Sequence, residues 1–282
     1  MKQLATRLAR NPLAQNAAAL YGVQVVRKVL PLIIVPYLLG PYLPGMRDPF
    51  ITSLAFSVML HIGTLVALLL YFAGDWRRLI PAFLATLRDR SLRGDPERRL
   101  ASLLAVATVP ALVIGFLLHD LEDVLREQVG LVAVMLVIGG AILWLAERSG
   151  SRSKLALDLP VVTAFGIGIA QAFALIPGIS RSGISISAGL FAGLRREEAA
   201  RFSFLMATPI TAAAAAYETL QVVRGGVAGV EAGPLALGLA TSFIFGILAI
   251  SVLLRFLRTR STDIFVAYRI VLAAIVLVVW LG

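Results

Sequence analysis

Cysteine is absent from the 282 residues, so no disulfide framework holds this chain together. Charge is scarce too: 15% of residues are Asp, Glu, Lys or Arg, while 59% are hydrophobic and the mean hydropathy is +0.89. Soluble domains carry about 25% charged and roughly 45–50% apolar residues, so this chain reads as an integral membrane protein. Acidic residues are the scarcer sign, 16 against 26 Lys and Arg, which leaves a net charge of +10. No basic-aromatic module accompanies that surplus, so nucleic acid is excluded as a partner. The surplus fits Lys and Arg held in loops on one side of a membrane. A cleavable signal peptide is also missing, because the first apolar stretch carries Arg27 and Lys28 in its middle and lacks a clean cleavage site.

What is present is a series of long apolar stretches, near 17–40, 50–73, 101–118, 129–146, 159–176, 202–221, 234–257 and 264–281. Most approach the roughly 20 residues that a helix needs to cross a bilayer. The expected fold is all-α, a polytopic membrane helical bundle with re-entrant or broken helices, forming a single integral membrane domain over 1–282. Segment 177–193 is apolar but too short to cross after its Pro-Gly start, and reads as a re-entrant arm that returns to the side where 159 began. That return puts the basic loops on one side, among them Arg77, Arg78, Arg148, Lys154, Arg195, Arg196 and Arg258. By the positive-inside rule that side is cytoplasmic, with the break facing outward. The loop 74–100, amphipathic around Leu79–Leu84, is open to two readings: a segment lying on the inner surface or a solvated loop.

The most informative segment is Pro177-Gly178-Ile179-Ser180-Arg181-Ser182-Gly183, an arginine between two serines in a glycine-bracketed break. Arginine at membrane depth costs roughly 2.5–3.5 kcal/mol on insertion scales, so one placed there calls for a function. A helix break is tolerated in lipid only where the freed backbone groups face protein or a water-filled cavity. Glycine lets N–H groups converge on an anion, arginine supplies a fork of donors matched to phosphate oxygens, and a helix restarting near 184 adds positive charge at its N-terminus. The competing reading is a kink with serines bonded back to the helix and Arg181 snorkelling outward.

The run from Gly166 through Gln171 and Ile176 into Pro177–Gly183 resembles the second signature of the undecaprenyl pyrophosphate phosphatase family of bacitracin-resistance type. The likeness continues through Gly193–Leu205 and Pro209, and takes in His61-Ile62-Gly63-Thr64-Leu65, Pro110-Ala111, His119-Asp120 and Tyr268-Arg269, so that 46–282 is phosphatase-like. Where the family has Thr two residues after the last Gly, this chain has Ser185, which keeps the hydroxyl. The resemblance implies a polytopic hydrolase of the bacterial inner membrane that removes the terminal phosphate of a C55 (undecaprenyl) pyrophosphate. It also implies an inverted repeat with two broken helices around one pocket, and a divalent cation, Mg²⁺ or Ca²⁺, with unknown ligands. The implied partners are a prenyl pyrophosphate lipid and the membrane; a homodimer is left open.

Residues 1–45 depart from that pattern. The family's first signature, Glu-x-x-x-Glu followed by Pro-x-Ser-Ser-x-Gly-His, is not there: aligning on Pro31 puts Gln24 and Lys28 at the acidic positions and Ile33, Ile34 and Tyr37 at the Ser, Ser and His. Residues 13–45 are instead similar to the opening helix of a polysaccharide flippase. Two functions therefore stay open, a hydrolase and a catalytically impaired prenyl-phosphate binding or translocating protein. The catalytic candidates are Arg181, Ser180, Ser182 and His61, the last either a proton carrier or a neutral ring bonded to a neighbouring helix. The substrate-binding candidates are Gly178, Gly183, Ser185, Gln171, Arg27 and Lys28. Gln171 either orients the pocket or makes an interhelical amide bond. His119, Asp120 and Glu122 either meet a headgroup or metal or lie in a solvated loop. Glu218 and Arg269 are expected at the interface.

Overall fold

Helices fall where the apolar stretches predict them. The computed structural model describes residues 54–91, 94–118, 121, 124–125, 128–225 and 232–281. Nine α-helices are placed among these residues: α1 Leu54–Tyr71, α2 Ala73–Asp89, α3 Pro96–Leu117, α4 Val129–Ser149, α5 Val161–Ala172, α6 Arg181–Phe191, α7 Arg196–Gly225, α8 Ala232–Leu257 and α9 Asp263–Leu281. The expected single domain over 1–282 extends into residues outside this description. So do Arg27, Lys28, His119, Asp120, Glu122 and the first-half broken helix of an inverted repeat.

Helix α3 shows how local sequence sets an element. Asp95 caps its N-terminus, accepting from the N–H groups of Glu97 at 2.8 Å and Arg98 at 3.4 Å, and Pro96 follows at the first helical position, where no N–H is needed. Its 22 residues span about 33 Å and the 21 of α4 about 31 Å, enough for a hydrocarbon core of roughly 30 Å. Four helices (α3, α4, α7 and α8) are long and apolar enough to cross, and the bent pair α1–α2 makes up to five. The chain is a multi-pass membrane protein.

The ambiguous loop after residue 73 is a helix. At the buried Phe72 the chain turns 82° out of α1 into α2. Leu79 and Ala82 of α2 are buried, whereas Ile80, Leu84 and Leu87 form an exposed apolar stripe at four- and three-residue spacing, accompanied by Arg77 and Arg88. That pattern suits a helix lying at a membrane surface and a solvated helix alike.

Helices α5 and α6 hold only 12 and 11 residues, roughly 18 Å and 16 Å of rise, so neither crosses. Their outer ends meet. Ser153 and Lys154 both donate their N–H to the carbonyl of Gly193 at 3.0 Å, and Arg195 donates its N–H to the carbonyl of Lys154 at 3.0 Å. The arm thus leaves and returns at one end of the bundle, as a re-entrant hairpin. Arg99 of α3 pins its entry, donating to the carbonyls of Leu157 at 2.7 Å and Leu159 at 3.1 Å, while Glu198 accepts from the N–H of Ala156 at 3.0 Å. Small residues allow close packing along the arm: a Cβ at Gly168 would collide with the carbonyl oxygen of Ala107 on α3.

A buried carboxylate closes the same arginine-rich end. Glu147 near the end of α4 is 3% exposed. It accepts from Arg152, from Arg196 at the start of α7, and from both the N–H and the hydroxyl of Thr262 before α9, at 3.2 Å and 3.0 Å. One side chain thereby joins three helix ends. In the middle of the bundle α1 packs on α7 and α8, α9 packs on α4, and α6 lies against α4, α5 and α7.

Candidate functional site

The break occupies residues 173–180. After α5 the chain tightens into a 3₁₀ turn, Phe173–Leu175, then turns through Pro177 and Gly178 before α6 begins at Arg181. Gly178 sits at φ +98° and Ser180 at φ +68°. Glycine adopts such a conformation freely, whereas for serine it is sparsely populated and must be held by its surroundings. Ser180 caps α6, its Oγ accepting the N–H of Gly183 at 3.3 Å. Ser180 and Arg181 are exposed and Ser182 is half-buried.

The predicted site residues separate into three groups. Ser180, Arg181 and Ser182 come together at the first turn of α6, where its N–H groups also lie. Among the described residues no carboxylate pairs with Arg181. A guanidinium, two hydroxyls and a helix N-terminus are groups whose chemistry suits an anion.

The second group points into protein. Ser185 is buried, with its hydroxyl bonded to the carbonyls of Arg181 at 2.9 Å and Ser182 at 3.3 Å and to the hydroxyl of Ser203 on α7 at 2.6 Å. The glycines give up their space to protein instead of to a ligand. A Cβ at Gly178 would lie 2.5 Å from the carbonyl oxygen of Val132 on α4, and one at Gly183 would collide with the guanidinium of Arg269. Gln171 is 3% exposed, and neither end of its amide has a hydrogen-bond partner among the described residues. An interhelical amide bond is therefore not its role among them.

His61 stands apart. Its Nδ1 lies 2.9 Å from Oε2 of Glu218, which joins α1 to α7. No hydrogen bond links it to the break. An apolar groove lined by Ile62, Leu65, Ala216 and Leu220 runs beside the pair.

Of the two residues expected at the interface, Arg269 lies inside the bundle, 6% exposed, with its Nη1 donating to the carbonyl of Ile179 at 3.1 Å, whereas Glu218 is half-buried and partners His61. Hydropathy alone does not reveal this. The available signal was an arginine seven residues into an apolar stretch of nineteen.

For a divalent cation the test is the donor set. Among the described residues no group of three or more His, Asp or Glu is placed to hold a metal ion, and the break offers hydroxyls and cations only. These residues do not fit a cation held by the protein.

Comparison with known proteins gives a consistent picture. A model of the family described as bacitracin resistance protein BacA matches residues 31–275, beginning upstream of the segment 46–282 that carries the resemblance. The chain is similar to an undecaprenyl-diphosphatase of Rubrobacter xylanophilus, 43% identical over 241 residues that cover 85% of this chain and 88% of that protein. It is similar also to an undecaprenyl-diphosphatase of Thermomicrobium roseum, 39% identical over 281 residues covering 94% and 97%. A third, from Geobacter metallireducens, is 38% identical over 269 residues covering 95% and 97%.

Proposed function

The chain belongs to the bacitracin resistance protein BacA family, and from that premise we propose that its broken arm clamps the diphosphate of undecaprenyl pyrophosphate for hydrolysis. Water adds to the terminal phosphorus, the bond from that phosphorus to the bridging oxygen breaks, and inorganic phosphate leaves. The lipid keeps one phosphate. The observation that carries the reading is Arg181, exposed and unpaired among the described residues, beside the Ser180 and Ser182 hydroxyls at the start of α6.

Each group has a task. The Arg181 fork binds phosphoryl oxygens and stabilises the charge that builds on them as the bond to the bridging oxygen lengthens. Ser180 spends a lone pair on the N–H of Gly183, which leaves its O–H to donate to the ligand. The α6 N-terminus contributes fixed dipoles that need no rearrangement during reaction. His61, held by Glu218, is proposed as the group that carries a proton, since it is the only histidine among the described residues. A divalent cation, Mg²⁺ or Ca²⁺, would supply further neutralisation of diphosphate charge, but the described residues offer it no ligand set.

The arginine-rich end is placed in the cytoplasm of a bacterial cell, following the positive-inside bias. With the return helix α6 rising about 16 Å to that end, the break is proposed to lie near mid-bilayer and to open to the outer side. The lipid would reach it sideways.

Purified protein supplied with farnesyl or undecaprenyl pyrophosphate and Mg²⁺ or Ca²⁺ should release inorganic phosphate. Arg181→Ala should reduce that rate roughly hundredfold or more, the scale of one lost transition-state donor. A protein that binds the lipid yet frees no phosphate would refute hydrolysis. Undiminished turnover in Arg181→Ala would refute the site.

A further inference from the structure

A second guanidinium lies directly behind the break. Arg269 of α9 fills a slot between two glycines: a Cβ on Gly139 of α4 would sit 2.7 Å from its Nη1, and one on Gly183 of α6 would collide with its Nη2. Its Cα is about 9 Å of helix rise from the start of α9, so the charge sits within the apolar length of that helix. Among the described residues neither Arg269 nor Arg181 has a carboxylate partner.

For the protein alone this is a poor arrangement. A buried charge without a counter-ion is costly, and this one faces the N-terminus of α6, which carries partial positive charge of its own. A neutral donor would have bonded the Ile179 carbonyl more cheaply. The arrangement becomes favourable when an anion binds at the same helix terminus. The bond made is also at a telling place. Ile179 immediately precedes Ser180, the serine at φ +68°, and fixing the Ile179 carbonyl fixes the peptide that enters that conformation.

We propose that Arg269 is a positioning residue of the anion site: its guanidinium locks the Ile179–Ser180 peptide so that the Ser180-Arg181-Ser182 turn is held ready, and adds a fixed positive charge behind it. This rests on the reading of the break as a diphosphate site. The ligand class it favours is a doubly phosphorylated headgroup over a singly phosphorylated one, because the more negative ligand gains more from the added charge.

The test uses the full chain in detergent with three versions of residue 269: the parent, Arg269→Lys and Arg269→Met. Binding of farnesyl pyrophosphate and of farnesyl monophosphate is measured by calorimetry, turnover by phosphate release, and folding by thermal unfolding. Arg269→Met should weaken farnesyl pyrophosphate at least tenfold and narrow its preference over the monophosphate, with kcat falling further. Arg269→Lys should recover part of the preference through its charge, yet stay low in kcat because it lacks the fork. A folded Met variant with unchanged preference and kcat within threefold of the parent overturns the proposal. Should the Met variant not fold, a Lys variant with the parent's kcat overturns it equally, and a tenfold loss in that variant upholds it. A parent that binds farnesyl pyrophosphate but never releases phosphate sinks the hydrolase reading alone, since the binding preference still decides the role of Arg269.

Discussion

At Gly183 a single hydrogen atom stands where any other residue would place carbon against Nη2 of Arg269. Gly183→Ala must therefore displace either the guanidinium or the first turn of α6. Overpacking of this kind costs about 1–3 kcal/mol of stability. The effect on function should be larger, because the turn that moves is the one bearing Arg181. The expected outcome is a drop in phosphate release of more than tenfold in protein whose thermal midpoint falls only a few degrees; full activity in a folded variant would contradict the placement of Arg269. The sequence alone identified the Ser180-Arg181-Ser182 cluster, because its chemistry is contiguous in the chain. It could not reveal Arg269, whose relation to the break is made by α4, α6 and α9 meeting in space. The room that Gly178 and Gly183 leave on their Cβ side is taken by α4 and Arg269, which the sequence alone does not show.

Among the elements, the α4 terminus is tied to two other helix ends through one side chain. Glu147 accepts from Arg152, Arg196 and Thr262, so its removal leaves donors from three segments facing a vacated, buried position. A fully buried pair broken this way loses about 3–5 kcal/mol; here the arginines are partly exposed and recover some hydration, so about 2 kcal/mol is expected. Glu147→Ala should lower the thermal unfolding midpoint by several degrees, and Glu147→Gln by less, since an amide oxygen still accepts. Equal midpoints for the parent and Glu147→Ala would show that the joint contributes nothing. Hydropathy located most helices, since each apolar stretch is near the length a bilayer selects. Helix α2 was undecided for a physical reason. A stripe such as Ile80, Leu84 and Leu87 beside arginines suits either a surface-lying helix or a solvated one, while the 82° turn at Phe72 and the burial of Leu79 show that the opposite face packs on protein.

For the whole molecule the re-entrant arm decides the topology, and the lack of native cysteine makes that testable by labelling. Ser153→Cys and Arg195→Cys flank the arm at exposed positions, whereas Arg224→Cys lies near the far end of α7. A membrane-impermeant thiol reagent applied to one face of the membrane should label the first two together and Arg224→Cys only from the opposite face. Labelling of Ser153→Cys and Arg195→Cys from opposite faces would mean that the arm crosses. The arm was legible because Pro177 and Gly178 interrupt a stretch too short to cross twice. Its anchoring by Arg99, Glu198 and Gly193 was not, since those contacts join residues far apart in the chain.

The pairing of Arg181 and Arg269 without a carboxylate also bears on product release. Once inorganic phosphate departs, two cations at one helix terminus are left facing each other's field, and the quickest relief is another oxyanion from solution. On the proposed reading of the site, anion exchange should contribute to the pace of turnover. Sulfate and phosphate in the medium should act as competitors whose strength grows as ionic strength falls.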